Sequence, residues 1–127
     1  MATTYTIEQA GELSGVTPHT LRYYERIGLL EPVGRAPSGH RRYTDEDLGW
    51  VKFLTMLRAT GMPIRDMVTF IDITRAGDHT IPQRVDILRF HREVLNDRLK
   101  RDREHLEALD RKIGIYEGLL AEAAQPA

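Results

Sequence analysis

The chain has 127 residues, 41% of them hydrophobic, which bounds it to one domain, or one small domain plus an extension, with a small core. It contains no cysteine, which excludes disulfides, thiolate metal sites, iron–sulfur ligation and thiol redox sensing. The formal net charge of −1 predicts weak non-specific binding to polyanions, and no apolar run approaches the ~18 residues a membrane helix needs.

Residues 1–4 carry neither a charged nor an apolar leader pattern, so no signal peptide is visible and a cytoplasmic location is expected. Thr6, with Gln9 three residues on, matches a capping box that opens a first helix with Ile7, Ala10 and Leu13 on one face. Ser14, Gly15 and Val16 break it. Thr17 then caps a second helix, with Pro18 at its first position, where no amide partner is lost. Two short helices joined by a tight glycine-containing turn, over about 6–27, describe a helix-turn-helix.

Gly28 ends the second helix. Leu29, Leu30 and Glu31 are expected to pair with His40, Arg41, Arg42 and Tyr43 across a loop holding Gly34, Pro37, Ser38 and Gly39, forming a wing over about 28–43. Thr44 and Asp47 cap a third helix with the apolar stripe Leu48, Val51, Leu54 and Leu57. Gly61 breaks it, and Pro63 opens a fourth helix carrying Ile64, Met67, Val68 and Ile71, so a helix pair spans about 45–73.

A polar linker is expected at 74–82, a long helix at 83–122 and a disordered tail at 123–127. Leu88, Leu95, Leu99, Leu106, Leu109, Ile113, Tyr116 and Leu120 recur at spacings of four, three or seven, with Arg92 and Asp102 in the two positions that break the series. So long a stripe cannot be buried against so small a domain, and it calls for a partner helix. No glycine or proline interrupts it before Gly114, which disfavours a hairpin folded back on itself. Leu88, Leu95, Leu99, Leu106, Leu109, Ile113 and Tyr116 are the candidate dimerisation residues.

The average charge conceals a local excess. Between 17 and 43 there are five arginines (22, 26, 35, 41 and 42) against two glutamates (25 and 31). Phosphate contacts need cations on one surface, not across a whole chain. His19, Arg22, Tyr23 and Arg26 share the helix face away from Leu21 and Tyr24, and guanidinium suits both guanine edges and phosphate. A groove-sized helix beside a basic hairpin is equipment for duplex DNA. Duller readings stand beside this: Arg22 pairing with Glu25 or Glu12, Arg26 as a solvated helix end, Tyr24 as core, Tyr43 packing the wing against the third helix, and Thr17 as a cap alone.

The motifs Leu13-Ser14-Gly15-Val16-Thr17, Leu21-Arg22-Tyr23-Tyr24-Glu25, Gly28-Leu29-Leu30 and Arg41-Arg42-Tyr43, extended by Leu57-Arg58 and Gly61, resemble the MerR family of bacterial transcription regulators over about residues 5–72. The resemblance implies a mainly α fold: a winged helix-turn-helix DNA-binding domain over 1–73, then a long helix that forms an antiparallel coiled coil in a homodimer. It implies binding to an inverted repeat in double-stranded promoter DNA within an overlong spacer, and distortion of that DNA so that RNA polymerase engages both hexamers. Carried over by position, Arg22 is the recognition-helix contact, Tyr23 lies near phosphate, Arg41 and Arg42 are wing contacts, and Arg58 falls at a second loop near phosphate. Thr17, His19, Thr20, Arg26 and Tyr43 complete the expected DNA-binding set.

Metal, redox and aldehyde sensors of this family depend on cysteines, so none of those chemistries transfers, and no separate C-terminal sensor domain is visible. His91 and His105 are fourteen residues apart, about 21 Å along a helix, so they cannot share an ion within one chain; no metal or other cofactor is expected. A small-molecule effector of unknown identity would act where the linker meets the dimer helix; Met67, Phe70, Ile71, Ile81 and Phe90 are candidates to line its pocket, or plain core. No carboxylate pair, nucleophile with base or phosphate loop stands at meaningful spacing, which points away from an enzyme. The runner-up is an architectural, excisionase-like DNA-binding protein, disfavoured by the long helix. A protein-binding coiled-coil adaptor is disfavoured by the intact Arg22, Arg41 and Arg42.

Overall fold

Local capping chemistry fixes the starts of three helices in the computed structural model, which describes residues 3–31 and 34–126. In chain order these are β1 (Thr4–Tyr5), α1 (Ile7–Ser14), α2 (Pro18–Arg26), β2 (Tyr43–Thr44), α3 (Asp45–Ala59), α4 (Ile64–Arg75), a 3-10 turn (Asp78–Thr80) and α5 (Ile81–Ala124). At the start of α1, Gln9 N donates to Thr6 Oγ1 at 3.2 Å and Thr6 N to Gln9 Oε1 at 2.9 Å. The same reciprocal pair opens α3, with Asp47 N donating to Thr44 Oγ1 at 3.1 Å and Thr44 N to Asp47 Oδ2 at 2.9 Å. Thr17 caps α2 from Oγ1, which accepts from Thr20 N at 3.1 Å. Each such cap is worth about 1 kcal/mol.

The turn between α1 and α2 depends on two glycines. Gly15 holds a left-handed backbone, φ 75, and its amide donates to Gly11 O at 2.8 Å. Gly11 itself is buried in α1, and a Cβ there would fall 2.7 Å from the Val16 carbonyl oxygen.

The sheet departs from expectation. Leu29 and Leu30 do not pair with the return strand. Their amides both donate to Tyr24 O, at 2.9 and 3.2 Å, so they finish α2 instead of extending a ladder, and their side chains are buried. The partner of β2 is β1, antiparallel, with Thr4 opposite Thr44 and Tyr5 opposite Tyr43. The wing is a separate small hairpin bridged at Arg35 and Arg41, with Arg42 N donating to Gly34 O and Ala36 N to His40 O, both at 2.8 Å. Pro32 and Val33 lie outside the described residues.

The core gathers Ala10 from α1, Leu21 and Tyr24 from α2, Tyr43, the whole predicted stripe of α3, and Met67, Phe70 and Ile71 from α4. Burying each of the larger apolar side chains contributes roughly 1.5–3 kcal/mol. Leu13, expected on the apolar face of α1, is instead 51% exposed, and Ile64 and Val68 on α4 are only half-buried.

The chain divides into two units, Met1–Ile87 and Leu88–Ala127. In the stretch expected as a polar linker, α4 continues to Arg75 and α5 begins at Ile81, with Pro82 in its first turn, where no amide hydrogen bond is lost. The buried Thr80 hydroxyl lies 2.8 Å from Ile73 O and 2.7 Å from Gly77 O. Arg84 donates from Nη2 to Gly77 O at 2.8 Å and to Thr74 O at 3.2 Å, and from Nε to Thr80 Oγ1 at 3.1 Å. One guanidinium thus ties the start of α5 to the end of α4. Further on, α5 reaches 44 residues, about 66 Å at 1.5 Å per residue, and none of its residues is buried. Among the described residues no helix is long and apolar enough to cross a membrane.

Candidate nucleic-acid interface

Leu21 and Tyr24 anchor α2 in the core, and this decides which face the helix shows. His19, Arg22 and Arg26 are exposed on that outer face, with Tyr23 and Thr20 partly so. The Arg26 guanidinium sits 5.5 Å from the centre of the Tyr23 ring, a cation–π contact that holds both on one surface. Thr17 and Thr20 hydroxyls lie 3.0 Å apart, so both are engaged at the helix start.

The wing is braced against this helix. Arg41 Nε donates to Glu25 Oε2 at 2.7 Å, with the two side chains only 26% and 14% exposed. Glu25 therefore takes Arg41, sixteen residues away, and leaves Arg22 to the outer face. Arg42 donates to Thr4 Oγ1 at 3.1 Å and reaches Thr4 O at 3.4 Å, tying the wing base to β1. Arg35 Nη1 donates to Gly39 O at 2.9 Å across the wing tip, and His40 Nδ1 lies 3.0 Å from Ser38 Oγ.

A cleft of about 390 Å³ opens between these elements, lined by Thr6, Ile7, Glu8, Arg22, Arg35, Gly39, His40 and Arg41. Three arginines and a histidine from α2 and the wing thus converge on one concavity, with Glu8 in its lining and Glu25 paired to Arg41 behind it. That arrangement fits a polyanion backbone with a helix beside it. Residues 5–72 match the MerR HTH family of regulatory proteins. The chain belongs to the MerR family.

An uncharacterised HTH-type transcriptional regulator of Haemophilus influenzae is 36% identical over 114 residues, spanning 90% of this chain and 84% of the relative. Among solved structures, HiNmlR, a MerR family regulator lacking the sensor domain and bound to promoter DNA, superposes with a TM-score of 0.84 at 35% identity, covering 94% of each chain. A MerR family transcriptional regulator from Listeria monocytogenes gives a TM-score of 0.87 at 39% identity, covering 94% of this chain and 90% of that one. The protein is accordingly a DNA-binding transcriptional regulator of the MerR family.

Not every expected site residue lies on the MerR surface. Tyr43, expected among the DNA contacts, is fully buried, and its ring belongs to the core. Its hydroxyl has no hydrogen-bond partner among the described residues. Burial first, then the charge of Glu25, push its pKa above the ordinary 10.0, with Arg41 and Arg22 opposing and Asp47 adding to the rise. Arg58 is exposed at the end of α3 and reaches Met62 O at 3.4 Å across the following loop.

The five candidate effector residues separate. Met67, Phe70 and Ile71 are core, at most 4% exposed, whereas Ile81 and Phe90 are 48% and 73% exposed on α5. Ile71 does line a different cavity of about 320 Å³, with Leu29, Leu30, Glu46, Trp50 and the Arg75–Glu31 ion pair, 3.4 Å.

Arg35 and Glu8 in the cleft, and Glu25 as the brace of Arg41, escaped the sequence reading as site residues. The local charge excess counted Arg35 and Glu25, but only the fold shows which cations they meet. On α5, Leu99, Leu106, Leu109, Ile113 and Tyr116 are between 51% and 60% exposed, and Leu88 and Leu95 are half-buried.

Proposed function

We propose that this MerR protein works as a homodimer on an inverted repeat in a promoter spacer, each protomer offering one α2–wing cleft. The convergence of Arg22, Arg35, His40 and Arg41 on that cleft carries the reading. In it, α2 enters the major groove with Arg22 toward base edges, Tyr23 and Arg26 flank the helix, and the wing follows the adjacent phosphates. Arg41 and Arg42, held from behind by Glu25 and Thr4, present a pre-arranged wing, which lowers the ordering cost of binding. The second copy is supported by the row of exposed apolar residues on α5. Two linked clefts gripping one duplex then distort the spacer between them, and RNA polymerase reads the altered promoter.

Selection of genomic fragments by the purified protein at near-physiological salt tests this. Recovery of a few promoters that share an inverted repeat in an overlong spacer is the expected result. Broad, salt-labile recovery with no shared dyad would overturn it in favour of an architectural role.

A further inference from the structure

The seam of α5 contains two charges of opposite sign. From Leu88 the seam positions run 88, 92, 95, 99, 102 and 106, at alternating steps of four and three. Leucines occupy four of them, Arg92 and Asp102 the other two. Within its own helix Arg92 Nη2 lies 3.7 Å from Glu93 Oε1, and both side chains are about two-thirds exposed, so this contact does not satisfy Arg92 once the seam closes. A charge shut into a seam without a counter-charge is costly, which makes these two positions decide how the seam closes.

A parallel pair in register sets Arg92 against Arg92 and Asp102 against Asp102, like charge on like. Antiparallel pairing reverses one helix, so a step of four must meet a step of four read backwards. One register that satisfies this rule also matches the charges. Within the antiparallel pairing that the MerR resemblance implies, we infer that α5 meets α5 of a second copy in the register that sets Arg92 against Asp102, Leu88 against Leu106 and Leu95 against Leu99. The two-fold axis then passes beside Asp97, and a symmetric pair of ion pairs lies about 7.5 Å to either side of it. The next register that meshes, one heptad along, sets Arg92 against Leu109 and Asp102 against Leu99, closing both charges against leucine. Arg92 and Asp102 are thus the register-setting residues of the dimer.

This inference rests on the homodimer proposed above, and cysteine cross-linking separates the two claims because the chain has no cysteine of its own. Arg92→Cys and Asp102→Cys chains are mixed, oxidised mildly and run on a non-reducing gel, with dimerisation followed by sedimentation. A covalent dimer from the mixture, and none from either variant alone, is the expected result. Self-linking of either variant would mean a parallel pair. Linking of Arg92→Cys to Leu109→Cys in place of Asp102→Cys would mean a shifted register. Either outcome overturns the inference while leaving the dimer intact, whereas a monomer by sedimentation would overturn both. As a second readout, Arg92→Asp alone weakens dimerisation roughly tenfold or more, and Asp102→Arg added to it restores the dimer.

Discussion

Replacing Tyr43 by Phe separates a core role from a DNA-contact role. The Tyr43 side chain is 0% exposed and its hydroxyl has no hydrogen-bond partner among the described residues. An unpaired buried hydroxyl costs roughly 1–3 kcal/mol, and removing it leaves a void of only one atom, so Y43F should gain about 1 kcal/mol. For a domain of this size that raises the melting temperature by roughly 4–8 °C, read by calorimetry at fixed protein concentration.

The alkaline limb of stability should also change. Because Tyr43 keeps its proton above the ordinary pKa of 10.0, its contribution is complete below pH 10. It is lost as pH rises toward the folded-state pKa, since the unfolded chain ionises first. Y43F therefore makes the decline above pH 10 shallower. DNA affinity should stay within about threefold, because the ring does not reach the surface. A destabilisation of about 1 kcal/mol or more would show that the hydroxyl has a partner, such as a buried water. A clear loss of DNA affinity at unchanged stability would show that Tyr43 reaches DNA.

Three other substitutions probe the interface and its support. Arg22→Ala should cost about 1–3 kcal/mol in operator affinity by anisotropy titration, with sedimentation unchanged; full affinity would mean that α2 does not read the groove. Glu25→Gln should lower stability by about 1 kcal/mol and free Arg41, so the salt dependence of duplex binding steepens by up to about 0.9 in log–log slope; no change in either would mean the brace is idle. Gly11→Ala, whose Cβ would fall 2.7 Å from Val16 O, should destabilise by roughly 1–3 kcal/mol although alanine is the better helix former; a more stable protein would show that the turn between α1 and α2 relaxes freely.

What the sequence makes legible here is mostly what is local. The caps at Thr6, Thr17 and Thr44 span three residues each, and their side chains make the expected bonds. The stripe Leu48, Val51, Leu54 and Leu57 is buried throughout, because α3 is covered along its whole length. Leu13 shows the limit of periodicity: it shares the α1 stripe, yet it stays 51% exposed. The wing fails for a different reason. Leu29 and Leu30 have strand-like chemistry, but Gly28 turns the chain so that their amides finish α2, and the strand partner of Tyr43 lies 38 residues upstream at Tyr5. Pairing over such a distance leaves no local trace. The Arg41–Glu25 brace and the Arg84 contacts with Thr74, Gly77 and Thr80 are likewise relations between elements, invisible until the chain is folded.

The two residues of β1 have a practical consequence at the bench. Thr4 supplies the backbone and hydroxyl oxygens that hold Arg42, and it pairs with Thr44 at the start of α3. Deleting or replacing Thr4 would therefore release Arg42 at the base of the wing as well as the strand pairing that leads into α3, although Thr4 itself does not line the cleft.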